Sequence, residues 1–182
     1  RSVVILGVCH SAANIDESWV GTSVDALVGK VTGLPVHTVN DADAAGVAEM
    51  RFGAGRGIER GVVIMLTIGT GIGSAVFTDG RLVPNTELGH LEIRGKDAER
   101  RASDAARKRK KLSWEEWANR FQEYLETVEK LFSPDLIILG GGASKEADSF
   151  LPYLSTRPKI IPAQLLNQAG IIGAAIYAKD QG

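Results

Sequence analysis

Cysteine is almost absent from this sequence, which has only Cys9 among its 182 residues. A single cysteine cannot form an internal disulfide, and without a cluster of cysteines and histidines there is no structural zinc site. Cysteine usage of this kind is typical of a reducing compartment. We therefore expect a cytoplasmic protein without disulfides or zinc.

Long apolar runs and an excess of one charge are lacking as well. No run reaches the ~18 residues of a membrane span, and no signal peptide is visible. The net charge of -1 indicates neither a nucleic-acid nor a membrane partner. The hydrophobic content of 44% is that of a globular protein with a sizeable core.

Short apolar runs, separated by glycine, proline and polar residues, predict an α/β chain. The predicted strands cover residues 3–8, 36–39, 61–66, 72–77, 81–83, 136–139 and 159–161. The predicted helices cover residues 24–31, 42–52 and 163–178, with a further helix between Ser113 and Pro134.

The helix after Ser113 is the most clearly marked. Ser113 and Glu116 have the spacing of a capping box. Apolar side chains then recur at three- and four-residue intervals, at Trp117, Phe121, Tyr124, Val128 and Leu131. This spacing favours a buried core face over a ligand platform.

Asn40 and Asp41 lie between a predicted strand and a predicted helix. Open α/β sheets bind ligands at the carboxyl ends of their strands. There Asp41 could accept the proton of an attacking hydroxyl, and Asn40 could orient the substrate. The alternative is a simple helix cap, which asparagine and aspartate both favour.

Residues 67–73 place three glycines between two strands, at Gly69, Gly71 and Gly73. Successive glycine amides can form an anion-binding concavity, to which the hydroxyls of Thr67 and Thr70 add donors. A Rossmann loop is excluded because a strand, not a helix, follows. A plain glycine hairpin is the alternative.

Glu87 and His90 are three residues apart and can share one side of a turn. A carboxylate and an imidazole placed so could bind adjacent sugar hydroxyls. Metal binding is the weaker interpretation because no further ligands are close in sequence. A helix start capped by Asn85 or Thr86 remains an alternative.

Two further segments are candidates for phosphate or nucleotide binding. Gly140, Gly141 and Gly142 follow a buried strand and could admit a ribose or base, or simply reverse the chain. Arg107, Lys108, Arg109, Lys110 and Lys111 form a basic run. That run favours a long polyanion, with a solvated surface as the alternative.

The order of these motifs resembles the ROK family of sugar kinases and repressors. The motifs are Asn-Asp-Ala-Asp-Ala at 40, Thr-Ile-Gly-Thr-Gly-Ile-Gly at 67, Glu-Leu-Gly-His at 87, Gly-Gly-Gly at 140 and Ala-Gly-Ile-Ile-Gly-Ala-Ala at 169. The stretches 12–19, 41–46, 89–93, 112–117 and 132–136 resemble the actinobacterial glucokinases of this family that use polyphosphate. The resemblance covers nearly the whole chain.

The resemblance implies an α/β fold of the actin-like ATPase, ribonuclease-H-like (hexokinase) type. Residues 1–57 would be part of the N-terminal lobe, and residues 58–182 the C-terminal lobe. It further implies phosphoryl transfer from polyphosphate or ATP to the 6-hydroxyl of glucose, with Mg²⁺ accompanying the donor, and a homodimer.

The resemblance also implies roles for individual residues. Asp41 would be the catalytic base, and Asn40, Glu87, His90 and Glu99 would bind the sugar. Gly69, Thr70 and Gly71 would hold phosphate, and Gly140 to Gly142 the adenosine side. Arg107, Arg109, Lys110 and Lys111, with Lys145, are the candidates for polyphosphate.

Two departures from the family pattern matter. The cysteines of its zinc site are absent, as is typical of the polyphosphate subgroup. The Asp-x-Gly-Gly-Thr phosphate motif is absent too, and the chain begins at Arg1 near an apolar run. We therefore expect a fragment of a longer gene product. The alternatives are an ATP-dependent glucokinase or other hexose kinase, a sugar-sensing repressor, and an inactive remnant.

Overall fold

The computed structural model describes residues 2–12 and 16–182. Residues 13–15, inside the 12–19 stretch of the resemblance, lie outside the described residues. The strands are β1 Ser2–Ile5, β2 Val8–Ala12, β3 Val62–Ile68, β4 Ile72–Thr78, β5 Arg81–Val83, β6 Glu92–Ile93, β7 Lys96–Asp97, β8 Leu136–Gly140 and β9 Lys159–Pro162. The α-helices are α1 Val24–Thr32, α2 Asp41–Phe52, α3 Glu99–Ala102, α4 Asp104–Arg109, α5 Trp114–Phe132, α6 Ala147–Phe150 and α7 Ala169–Gln181. None of the described helices is long and apolar enough to cross a bilayer.

A five-stranded mixed sheet forms the centre of the molecule, in the order β5-β4-β3-β8-β9. β3 and β4 pair antiparallel, whereas β8 and β9 continue the sheet in parallel with β3. Side chains alternate between the two faces of β3, so Ile64 and Leu66 belong to one core cluster and Val63 and Met65 to the other. Both faces of the sheet are therefore covered.

α5 covers one face of the sheet, as its apolar spacing predicts. Trp117, Phe121, Tyr124 and Val128 are completely buried, and the capping box at Ser113 is formed. The prediction was wrong for Leu131, which is 60% exposed. The helical period of 3.6 residues brings Phe132 rather than Leu131 onto the buried stripe, and Phe132 packs against the core.

α2 and α7 pack closely on the opposite side. Gly46 of α2 approaches Ala75 and Phe77 of β4, leaving no room for a Cβ. Gly173 of α7 lies against the Ala44 carbonyl, where a Cβ would collide with the α2 backbone. These contacts hold the N-terminal end of α2 over the sheet.

The prediction of a strand over residues 3–8 was wrong in its C-terminal half. The chain turns at Leu6 and Gly7, both with positive φ, and returns as β2. Leu6 sits at the tip of this hairpin and is 96% exposed. An apolar run without a polar interruption concealed the turn.

Two other predicted elements differ in the structure. Residues 36–39 form no strand, because the Thr38 amide donates to the Asp25 carboxylate at 2.9 Å instead of entering a ladder. The last helix begins at Ala169 rather than Ala163. The Glu49 carboxylate binds the amides of Gln164 and Leu165, which keeps residues 163–168 out of the helix.

Candidate functional site

Asn40 and Asp41 begin α2 and serve as its cap. Asn40 Oδ1 accepts from the Ala42 amide at 2.8 Å, and Asp41 Oδ1 accepts from the same amide at 2.8 Å. The Asn40 side chain also donates through Nδ2 to Glu87 Oε1 at 3.4 Å. Capping therefore does not exclude a site role, because Asn40 contacts a second predicted site residue and the Asp41 carboxylate stays exposed.

A cavity of about 230 Å³ opens beside Asp41. Its wall includes Thr67 from the end of β3, the three glycines Gly140 to Gly142 after β8, and Lys145. The loop before α7 and the start of α7 complete the wall with Ala163, Leu166, Asn167, Ala169 and Gly170. The sheet thus brings Asp41 together with one hydroxyl, a glycine turn and one cation.

The glycine turn after β8 is constrained by the end of β3. Gly141 has a φ of +77°, and a Cβ on it would lie 2.5 Å from the Ile68 carbonyl oxygen. Ser144 fixes the turn by donating from its hydroxyl to the Gly141 carbonyl at 2.7 Å. Bare backbone therefore faces the cavity at this point.

The predicted sugar-binding side chains gather beside the cavity rather than in its wall. His90 Nδ1 lies 3.3 Å from Asp97 Oδ2, and Glu99 Oε2 accepts from the Ile72 amide at 3.2 Å. His90, Asp97 and Glu99 each offer a polar atom within 4.8 Å of the others. Such a group can bind vicinal hydroxyls or a cation. Glu87, three residues before His90, accepts from the Asn40 side chain.

The Gly69–Gly71 turn lies between this group and the basic segment. Glu99 rests against Gly71, where a Cβ would meet its carboxylate. The Ala105 amide of α4 donates to the Gly69 carbonyl at 3.1 Å, and the Gly69 amide is occupied by the Gly71 carbonyl at 3.0 Å. Outside Gly69 the space is open. The cavity wall reaches Thr67 but not this turn.

The structure separates the basic residues that the sequence groups together. Arg107 pairs with Asp104 at 2.9 Å, and its guanidinium lies 3.7 Å from the centre of the Trp114 ring. Lys108 pairs with the same carboxylate at 2.7 Å. Lys110 and Lys111 are exposed at the end of α4, whereas the cavity contains Lys145.

Asp43 is a further acidic group of the site that the motifs did not single out. It is 1% exposed, and its Oδ2 accepts from the Asn85 amide at 2.8 Å. Its Oδ1 is buried and has no hydrogen-bond partner among residues 2–12 and 16–182. Burial raises the pKa of Asp43 to about 6; the Asn85 amide opposes the rise, and the carboxylates of Glu87 and Asp41 add to it. Little in the sequence singles out Asp43 or Asp97. Asp43 is the second aspartate of the Asn-Asp-Ala-Asp motif, and Asp97 is one acidic residue in a charged stretch.

Comparison with known proteins places the chain in a family. The profile of the ROK family matches residues 7–103, more than half of the chain. The chain belongs to the ROK family. A polyphosphate glucokinase of Mycobacterium tuberculosis is 47% identical over 175 residues, which cover 96% of this ROK chain and 66% of that protein. The chain therefore spans just under two thirds of the length of that relative.

Two solved structures show the same fold. The crystal structure of an inorganic polyphosphate/ATP-glucomannokinase from Arthrobacter sp. strain KM superposes with a TM-score of 0.92 at 56% identity, covering 99% of this ROK chain and 71% of that one. A ROK family glucokinase from Streptomyces griseus, in complex with glucose and AMPPNP, gives a TM-score of 0.78 at 26% identity, covering 97% and 77%. The predicted actin-like, hexokinase-type α/β fold is confirmed.

Proposed function

We propose that this ROK protein transfers a phosphoryl group from polyphosphate or ATP to the 6-hydroxyl of glucose. The observation that carries the proposal is the cavity in which Asp41 faces Thr67 and the bare backbone of Gly140 to Gly142. A carboxylate opposite a glycine-lined phosphate pocket is the arrangement that phosphoryl transfer requires. The names of the relatives support both donors, since they refer to polyphosphate and to ATP.

In this proposal the sugar lies across Asn40 and the group of polar side chains beside it. Asn40, Glu87, His90 and Glu99 bind its hydroxyls, with the Asn40–Glu87 hydrogen bond fixing the geometry of the first two. Asp97 holds the His90 ring through Nδ1 and acts as a positioning residue. The 6-hydroxyl then points toward Asp41.

The reaction is an in-line displacement at phosphorus. The 6-hydroxyl oxygen forms the new bond, the bond to the bridging oxygen of the donor breaks with its electron pair, and Asp41 takes the hydroxyl proton. Thr67 faces the transferred phosphate, and the Gly69–Gly71 turn with Thr70 lies just beyond the cavity wall at the end of the same strand. Gly140 to Gly142 receive the nucleoside end of ATP when ATP is the donor. Lys145 offsets negative charge in the same cavity.

A divalent cation fits this donor set. Mg²⁺ keeps several water ligands and binds through one or two carboxylates together with substrate phosphates. Asp41 would hold such an ion through one of its water ligands, which leaves the carboxylate able to accept the proton, and the hydroxyl of Thr67 lies nearby in the wall. When bound, Mg²⁺ would offset the charge that develops on the phosphate oxygens.

The predicted division into residues 1–57 and 58–182 and the predicted homodimer remain proposals. α2 belongs in sequence to the first part and packs on the sheet of the second through Gly46. Asp41 at its start would thus lie where the two parts meet.

The proposal is tested by measuring glucose 6-phosphate in a coupled assay. The 182-residue chain and the complete product of its gene are each given glucose with polyphosphate or with ATP, in Mg²⁺. We expect turnover with both donors from the complete product and loss of turnover when EDTA removes Mg²⁺. ATP-only turnover would identify an ATP-dependent glucokinase, and glucose binding without turnover would favour the repressor.

A further inference from the structure

Cationic side chains from four elements meet beyond the Gly69–Gly71 turn. Arg101 of α3 pairs with Glu123 of α5 at 2.9 Å. Arg109, the last residue of α4, donates to the Arg100 carbonyl of α3 at 3.4 Å. α3 itself is held against α5 by the Trp117 indole, which donates to the Ala102 carbonyl at 3.0 Å. The ends of α3 and α4 are therefore fixed beside the middle of α5.

Arg120 is the central member of this group. It lies one helical turn after Trp117 and one turn before Glu123, on the side of α5 that faces α3. Its Nη1 is buried, yet it finds no hydrogen-bond acceptor in residues 2–12 and 16–182. A buried guanidinium nitrogen without an acceptor costs free energy, which an anionic ligand would recover.

Lys96 of β7 and Lys110 after α4 complete the group. The pKa of Lys110 is lowered mainly by Arg120, then by burial and by Arg101, Arg109 and Lys96. Neither lysine forms an ion pair within the described part of the chain. We call Lys96, Arg101, Arg109, Lys110 and Arg120 the cationic cluster.

The carboxylates near the cationic cluster are too few to neutralise its positive charge. Glu123 is shared between Arg101 and Arg94, at 2.9 and 2.6 Å. Glu116 lies close enough to Arg120 for its pKa to be lowered, but its strongest partner is the Ser113 amide of the capping box. Like charges are thus held together with a deficit of acceptors, which is the electrostatic pattern of a polyanion site.

We propose that the cationic cluster binds the distal phosphates of an inorganic polyphosphate chain. This inference rests on the proposed function, because it takes the phosphoryl donor of that reaction as its ligand. Of the predicted polyphosphate residues, the cationic cluster keeps Arg109 and Lys110. It omits Arg107, Lys111 and Lys145 and adds Lys96, Arg101 and Arg120. Arg107 is already engaged with Asp104 and Trp114.

α4 gives the route from the reacting phosphate to the cationic cluster. Its first turn touches the Gly69 carbonyl through Ala105, and its last residue is Arg109. A helix of 6 residues spans roughly 9 Å, so a chain of a few phosphates would bridge the two points. A donor as short as ATP would not need the cationic cluster.

The test compares two double variants with the same charge change. Lys96→Gln with Lys110→Gln neutralises two exposed members of the cationic cluster. Lys130→Gln with Lys179→Gln neutralises two exposed lysines late in α5 and α7 and serves as the matched control. Binding of long-chain polyphosphate, tripolyphosphate and a single-stranded DNA oligomer to the complete protein is titrated at several salt concentrations.

We expect the first variant to bind long-chain polyphosphate about tenfold more weakly at low salt, with a salt slope lower by ~1 for each cation removed. Tripolyphosphate binding and ATP-driven turnover should match the control. Equal affinities of the two variants for long-chain polyphosphate, or DNA binding as tight as polyphosphate binding, would overturn the proposal. Because binding is read without turnover, absence of glucose 6-phosphate would refute only the proposed reaction.

Discussion

Asp43 is an acidic residue that the fold buries, although an ionised carboxylate is more stable in water. Its carboxylate is buried two residues from Asp41, with one oxygen bonded to the Asn85 amide and the other without a partner among the described residues. Burial raises its pKa from 3.8 to about 6. The folded protein therefore binds the Asp43 proton more tightly than the unfolded chain does.

The sign of the resulting pH dependence follows from this linkage. Protonated Asp43 favours the folded state fully below pH 3.8, and this contribution is lost as the pH rises through about 6. The full shift corresponds to about 3 kcal/mol in the free energy of unfolding. Asp43→Asn should therefore be more stable than the parent at pH 7, with an advantage that vanishes towards pH 4.

Chemical denaturation at several pH values between 4 and 8 measures this effect. We expect the parent to lose stability across the window and Asp43→Asn to lose less. Identical pH slopes for the two proteins would show that Asp43 titrates normally. Asp25→Asn, which removes another carboxylate that accepts a backbone and a hydroxyl hydrogen bond, is the matched control.

At the residue scale, the sequence was informative where a motif was complete. Asn40, Asp41 and Glu87 were singled out by type and position, and the Asn40–Glu87 contact agrees with a shared site. Asp97 and the buried Asp43 could not be identified, because their environments depend on contacts between distant elements. The contact between the Arg107 guanidinium and the Trp114 ring could not be predicted from the basic run either.

At the scale of elements, Glu49 links α2 to the wall of the cavity. It is fully buried, and its two carboxylate oxygens accept from the amides of Ala54, Gln164 and Leu165 at 2.7 to 3.1 Å. Ala163 and Leu166, on either side of the two bound amides, line the cavity, so this carboxylate positions the loop beside Asp41.

Glu49→Ala should lower the free energy of unfolding by about 3 kcal/mol, because three amides lose their acceptor and a small void opens. Thermal unfolding followed by circular dichroism measures the loss. Glu59→Ala, an exposed glutamate in the loop before β3, should leave the melting temperature nearly unchanged. Equal melting temperatures for Glu49→Ala and the parent would contradict the structural role.

The close contact of Gly173 with α2 leads to a second prediction at the scale of elements. Its Cα lies against the Ala44 carbonyl, so Gly173→Ala would push α7 away from α2 despite the better helix propensity of alanine. We expect a clear loss of stability, of roughly 1–3 kcal/mol. Gly170→Ala, one turn earlier with open space around it, should be neutral or slightly stabilising. Equal melting temperatures for the two variants would contradict the close contact.

Elements with a regular apolar period were the most predictable. α5 and most of its buried face were predicted, because burial against a sheet leaves a 3.6-residue stripe, and the error was confined to Leu131 in the last turn. The hairpin at Leu6 and the late start of α7 were not. The hairpin depends on the left-handed backbone of Leu6 and Gly7. The late start of α7 depends on amides that donate to Glu49, which lies far away in the sequence.

At the scale of the whole molecule, the sheet and α4 arrange the three proposed binding regions one after another. The polar group around His90 leads to the cavity at Asp41, and the Gly69–Gly71 turn leads along α4 to the cationic cluster. The fold class was predictable because its motifs follow one another along the chain. The cavity could not be predicted, because α2, β3, β8 and α7 form it only when they pack together.

This arrangement predicts a difference between donors in their response to salt. Turnover driven by long-chain polyphosphate should fall more steeply with salt than turnover driven by ATP, because only the former uses the extended cationic cluster. The measurement is the initial rate with each donor, at subsaturating donor concentration, in roughly 50 to 300 mM KCl. The slope of the rate against salt concentration is then compared between the two donors. Parallel slopes would indicate that both donors bind at the cavity alone.

The central claim is that Asp41 takes the proton of the sugar hydroxyl in the cavity. It is tested most directly by Asp41→Asn in the complete protein, with glucose binding and kcat measured side by side and Asp180→Asn as the exposed control. We predict that kcat falls by about 10²- to 10⁴-fold while the Kd for glucose stays close to that of the parent. Retained turnover, or loss of glucose binding in proportion to turnover, would contradict the assignment.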